Sequence, residues 1–155
     1  MTKEELKQMI ESLKTWQKRL DKNRGERAEL RRAKSILEVI MTPSFQRLCT
    51  HLNKEIAGFN DNDKEKLAFI VGLLSHVKEP SNTLLARAMS AGSPSCVSEL
   101  RFRRLLQHSK DDHFYIAMIR IIRMLKYHAS ISDLVKSMYY WNDNTKKQWA
   151  YAYFG

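Results

Sequence analysis

Apolar residues recur along most of this chain at intervals of three and four, the spacing that puts them on one face of an α-helix. Leu6, Met9, Ile10, Leu13, Trp16 and Leu20 form the first such stripe, and Thr2 with Glu5 has the spacing of a capping box at its start. A polar break from Asp21 to Gly25 precedes a second stripe, Leu30, Ala33, Leu37 and Ile40. Thr42-Pro43 ends that helix and opens the next, with Pro at the first helical position and Phe45, Leu48 and Leu52 facing inward.

The polar run Asn60-Asp61-Asn62-Asp63 supplies N-caps for a helix carrying Leu67, Ile70, Val71, Leu74 and Val77, which stops near Pro80. Thr83 is placed to cap a short helix through Met89, closed by Gly92 and Pro94. A helix from about Cys96 to His108 follows, then one from about Asp112 to Tyr127. Ser130 with Asp133 caps a helix through Trp141, and Asn142-Asp143 starts a last one reaching Phe154. No segment alternates apolar and polar residues over a strand's length between turn signals, so the pattern predicts an all-α protein, a compact two-lobed bundle of eight or nine helices. The loop near residues 78 to 83 is the expected boundary between an N-terminal lobe, 1–80, and a C-terminal lobe, 81–155.

Composition narrows the class. The 155 residues are 43% hydrophobic and 10% aromatic, enough for a packed core. The longest apolar stretch, Leu67 to Leu74, is far short of the ~20 residues of a membrane span. The opening Met1-Thr2-Lys3-Glu4-Glu5 lacks a signal-peptide layout, and Cys49 and Cys96, without a CxxC pair, fit reduced thiols. A cytoplasmic protein is expected.

Charge changes the picture more. The formal net charge is +10, from 27 basic and 17 acidic residues. Residues 14 to 34 hold nine basic and three acidic side chains, residues 101 to 126 hold seven and two, and the remainder sums to −1. On a helix, Arg27, Arg31 and Lys34 fall within a strip about 60° wide, away from Leu30, Leu37 and Ile40. A solvated face with Glu26, Glu29 and Glu38 as partners is the alternative there. The segment Phe114 to Tyr127 is apolar around most of its circumference and interrupted only by Arg120, Arg123 and Lys126, with no acidic residue among them. Arginine is seldom buried unpaired, so such a stripe implies either acids supplied by another helix or a surface for anions. Arg101 and Arg104 share a face at i, i+3, whereas Arg103 is placed to pair with Glu99.

Catalytic signatures are missing: there is no HExxH, Walker loop, GxGxxG or GxSxG, and no two of His51, His76, His108, His113 and His128 stand at i, i+4. A non-enzymatic protein with no metal and no cofactor is expected. The C-terminal aromatics, Trp141, Trp149 and Tyr153, are spaced as helix-packing residues, and Lys146 and Lys147 between them are candidate phosphate contacts.

Several blocks together resemble one family. They are Arg27-Ala28-Glu29-Leu30-Arg31-Arg32-Ala33, Pro43-Ser44-Phe45 and Leu67-Ala68-Phe69-Ile70-Val71-Gly72-Leu73-Leu74, then Val97-Ser98-Glu99-Leu100-Arg101-Phe102-Arg103-Arg104-Leu105-Leu106, Tyr140-Trp141-Asn142-Asp143 and Trp149-Ala150-Tyr151-Ala152-Tyr153. In that order they resemble the CasB family, the small subunit of the type I-E CRISPR Cascade complex. The resemblance implies a two-lobed helical subunit, present with a second copy of itself beside the large subunit and other Cascade subunits. It further implies contacts with crRNA and with both strands of the target DNA in the R-loop, and no membrane partner. Its basic positions match at Arg31, Arg32, Arg101, Arg123, Lys146 and Lys147. With Arg27, Lys34, Arg104, Arg120 and Lys126 from helix geometry, these form the expected nucleic-acid-binding set. Phosphate-directed cations suit a subunit that leaves sequence reading to a guide. The alternatives are a free-standing helical DNA-binding protein, which calls for a recognition helix not found here, and a helical adaptor for an acidic protein.

Overall fold

The computed structural model describes residues 1–155, and the chain forms two compact units, Met1–Ser75 and His76–Gly155. The first is built from α1 (Lys3–Leu20), α2 (Arg24–Arg32), α3 (Ile36–Ile40), α4 (Pro43–Glu55) and α5 (Asp61–Leu74). The second holds β1 (Glu79–Pro80), α6 (Leu85–Ser90), α7 (Glu99–Leu105), α8 (Asp112–Met124), β2 (His128–Ala129), α9 (Ile131–Tyr139) and α10 (Asp143–Phe154). The fold is all-α, with ten helices where the periodicity predicts eight or nine.

In the first unit α1 starts on the predicted capping box, Thr2 and Glu5 each accepting the other's backbone N–H. The Glu5 carboxylate does more: its Oε2 accepts the Gly58 N–H at 2.7 Å, tying α1 to the loop before α5. A Cβ at Gly58 would stand 2.8 Å from that oxygen, so glycine permits the approach. These backbone hydrogen bonds, Thr2 first and Gly58 second, hold the Glu5 carboxyl below the usual glutamate range. Helix α5 opens on a second capping box, Asn60 with Asp63, and is buried continuously from Leu67 to Leu74. A helix apolar all round belongs in an interior, and α3 and α4 pack against it.

The tenth helix arises where the pattern predicts one helix over Leu30 to Ile40. Ala33 turns to extended backbone, Ser35 caps a new helix through the Glu38 N–H, and the Glu38 carboxylate accepts the Lys34 N–H at 2.9 Å. These local bonds satisfy the backbone outside a helix and so compete with its continuation. The break resets the helical phase: Val39 is fully buried, while Leu37, expected in the core, is 62% exposed and Ile40 only half-buried.

The second unit is organised by Asp133. Its Oδ2 accepts the Leu85 N–H at 2.8 Å and so caps α6, which has no side-chain cap of its own; Thr83, the expected cap, does not fill that position. Its Oδ1 accepts the Ser137 hydroxyl at 3.2 Å, and Ser137 Oγ in turn accepts Trp149 Nε1–H at 2.9 Å. Helices α6, α9 and α10 are thus joined by one polar chain. From α10, the Tyr153 hydroxyl donates to the Val97 carbonyl at 2.6 Å, and its ring stacks on Phe102 at 4.0 Å. The two short strands pair in parallel, Glu79 with His128 and Pro80 with Ala129, a bridge too short for the periodicity to register. No helix is long and apolar enough to cross a membrane.

Replacing Asp133 by Ala leaves the Leu85 N–H and the Ser137 hydroxyl without their acceptor, and should lower unfolding free energy by about 2–3 kcal/mol in urea titrations. A second expectation concerns pH. Because the folded pKa of Glu5 is depressed, its contribution to stability is present above the ordinary glutamate pKa and is lost as pH falls through the folded value. The stability gap between the wild type and Glu5→Gln, measured by urea unfolding at pH 7 and at pH 3, should therefore narrow at the lower pH.

Candidate nucleic-acid interface

Helix α7 begins on Ser98, whose hydroxyl accepts the Arg101 N–H, and turns Phe102 and Leu105 into the core. With that face fixed by Tyr153 and Val97, Arg101 and Arg104 are left on the outside. Helix α8 starts on Asp111, whose Oδ1 accepts the Phe114 N–H at 3.0 Å. Its buried residues are Phe114, Tyr115, Met118, Ile119, Ile121 and Ile122, which at 100° per residue cover an arc of about 160°. Arg120 lies opposite the middle of that arc and Arg123 at the edge of the open strip; both are exposed.

Between α7 and α8 these faces enclose an open groove of about 330 Å³, lined by Ser98, Arg101, Arg104, His108, Arg120 and apolar neighbours that include Leu100 and Ile121. No carboxylate lines it. None of Arg101, Arg104, Arg120 and Arg123 makes an ion pair or a side-chain hydrogen bond within the protein, and no Arg103–Glu99 pair forms. Three of the predicted site residues are therefore brought together from two helices, with their guanidinium donors open to a ligand. Guanidinium groups bind phosphate in a bidentate geometry, which gives such a groove a defined chemical preference.

The remaining predicted residues are placed differently. Arg27 turns inward: its side chain is 14% exposed, it pairs with Asp21, and its Nε donates to the Ser75 carbonyl at 3.1 Å. Arg31 is half-buried and engaged within the protein, Arg32 is exposed on the last turn of α2, and Lys34 lies exposed beyond the helix end. The continuous strip expected over Arg27, Arg31 and Lys34 is thus interrupted, because α2 ends at Arg32. Lys126 likewise leaves the α8 stripe. The helix ends at Met124, and Lys126 and Tyr127 take left-handed backbone with φ of 57° and 65°. On α10 the Lys146 ammonium sits 5.5 Å over the Trp141 ring, and Lys147 is exposed.

One groove residue was not among the expected contacts. His108 follows Arg101 and Arg104 at i+7 and i+4, a stripe the spacing displays but that a lone histidine does not advertise. No three His, Cys, Asp or Glu side chains come together as metal ligands. Burial raises the Cys49 thiol to about 11, so it is a packing residue.

Fold and groove together define an all-helical, basic protein with an arginine-lined groove open to anions. The chain belongs to the CRISPR-associated protein Cse2 family, whose pattern matches residues 26–154. That family is the small subunit of type I-E Cascade, also called CasB, which makes the chain a Cascade subunit by family. Its fold is similar to that of a chain in the crystal structure of E. coli Cascade bound to a PAM-containing dsDNA target with a 32-nt spacer. The TM-score is 0.69 at 18% identity, covering 84% of this chain and 85% of that one. No curated protein sequence matches the chain.

The two kinds of arginine separate in a stability measurement. Arg27→Ala removes a part-buried charge-assisted hydrogen bond and an ion pair and should cost about 2 kcal/mol, whereas Arg101→Ala and Arg120→Ala should each stay within about 0.5 kcal/mol of the wild type in chemical denaturation.

Proposed function

We propose that the chain is the non-enzymatic, nucleic-acid-binding small subunit of a type I-E CRISPR surveillance complex. In this reading its basic helical surface holds the target and displaced strands and stabilises the R-loop in antiviral defence. The observation that carries it is the convergence of Arg101, Arg104 and Arg120 on one groove that holds no counter-charge. Such a groove recognises phosphate and has few groups that read base edges, which suits a subunit that must accept any target while guide pairing supplies sequence. The duplex opened and the heteroduplex formed in an R-loop are of similar stability, so modest backbone contacts tip the balance. Membership of the family supports crRNA, target DNA, the large subunit, other Cascade subunits and a second copy of the chain as partners, in the cytoplasm. The Cascade structure with a similar chain holds a dsDNA target, in keeping with this reading. Arg123, Arg32 and Lys147, all exposed, extend the phosphate-directed surface within their own units.

Fluorescence anisotropy with two single-stranded oligonucleotides of unrelated sequence tests it. The two should bind alike, with log K falling linearly against log salt. Arg101→Glu with Arg120→Glu should weaken both equally and flatten the slope by about 0.7 for each phosphate no longer neutralised, with unchanged far-UV circular dichroism. Salt-insensitive binding, or a strong preference for one of the two sequences, sinks the proposal. Equal or tighter binding of a polyanionic peptide moves the groove's partner to an acidic protein.

A further inference from the structure

His108 completes the arginine groove. Its ring lies nearly parallel to that of Phe114, centroids 5.7 Å apart, and its carbonyl accepts Trp141 Nε1–H at 2.9 Å, so the residue is fixed from α8 and from the segment before α10. It is half-buried and lines the same cavity as Arg101, Arg104 and Arg120. The charged side chains that share its cavity are those guanidinium groups from α7 and α8; Lys110, Asp111 and Asp112 follow it in the chain, and Lys146 of α10 sits over the ring of Trp141, the residue bonded to the His108 carbonyl. Lys110 Nζ donates to the Met138 carbonyl and Asp111 Oδ1 accepts the Phe114 N–H, so both are committed elsewhere, and Asp112 occupies the first turn of α8. No carboxylate pairs with His108.

We infer that His108 is a proton-dependent cation of this groove: it takes up a proton when a phosphodiester enters beside the three arginines, so that the site grips a nucleic-acid backbone more tightly as pH falls. This rests on the phosphate-binding reading given above and adds to it a residue and a regulation. A phosphate bound beside the ring favours the imidazolium, which offers two N–H donors. Proton uptake and phosphate binding at this groove therefore favour each other. The extra affinity is gained as pH falls through the range of about pH 5 to 8 in which histidines change charge.

The test uses oligothymidylate, whose bases do not titrate in this range, at constant ionic strength. Affinity for the wild type should rise on the order of tenfold from pH 8 to pH 5.5, with proton uptake near neutral pH seen by calorimetry in two buffers of different ionisation enthalpy. His108→Gln should bind weakly and His108→Lys tightly, both with a flat pH profile, and His113→Gln should keep the wild-type slope. Circular dichroism at each pH checks that the variants are folded. A flat wild-type profile, or a slope that persists in His108→Gln, overturns the inference. If the profile is flat while Arg101→Glu still weakens binding, phosphate binding stands and only the role of His108 falls. If oligothymidylate does not bind at any pH, both fall.

Discussion

A single carboxylate holds the second unit in register. Asp133 is the only side-chain cap that α6 has, it accepts the hydroxyl of Ser137, and through Ser137 it reaches the indole of Trp149. Three helices depend on one acid because each brings a donor that cannot be left in a dry interior without an acceptor. Once α10 is fixed, Tyr153 reaches the Val97 carbonyl and stacks on Phe102. That packing sets the rotation of α7, and the rotation of α7 decides that Arg101 and Arg104 face out. The bearing of the candidate interface is thus set by a buried polar chain that includes no residue of the interface itself.

The cations of the protein fall into two populations according to what stands near them. Arg27 meets Asp21 and the end of α5, Lys110 meets the Met138 carbonyl, and Lys78 and Lys146 lie over the rings of Tyr127 and Trp141. These charges are satisfied within the fold. Arg101, Arg104, Arg120 and Arg123 have no such neighbours, and three of them face one groove. Exposed guanidinium groups are solvated and cost the fold little, yet grouped without an acid they form a local field that favours an anion. The excess charge matters through this grouping more than through its total.

Much of the local structure was legible in the residues because its causes are local. The capping box of Thr2 and Glu5, Pro43 at the start of α4, and the caps Asn60, Ser130 and Asn142 all act within one helical turn. Departures from the pattern arise where a local bond competes with periodicity or where the partner is distant. Ser35 and Glu38 break the helix expected through Leu37. The left-handed residues Lys126 and Tyr127 take Lys126 off its stripe, and Asp133, 48 residues away from Leu85, supplies the cap expected of Thr83.

The sequence by itself determined the helical class, most helix starts, the two basic segments and the family resemblance, since these follow from spacing, composition and short blocks of residues. Only the tertiary structure decided which arginines serve the fold and which stay unpaired at its surface. Arg27 and Arg120 each stand in a basic segment of the chain, and their fates differ because the Ser75 carbonyl and Asp21 lie within reach of one, while the other projects from the open strip of a helix whose remaining faces are buried. Whether a charge is neutralised depends on distances across the fold, and those exist only once the helices have packed.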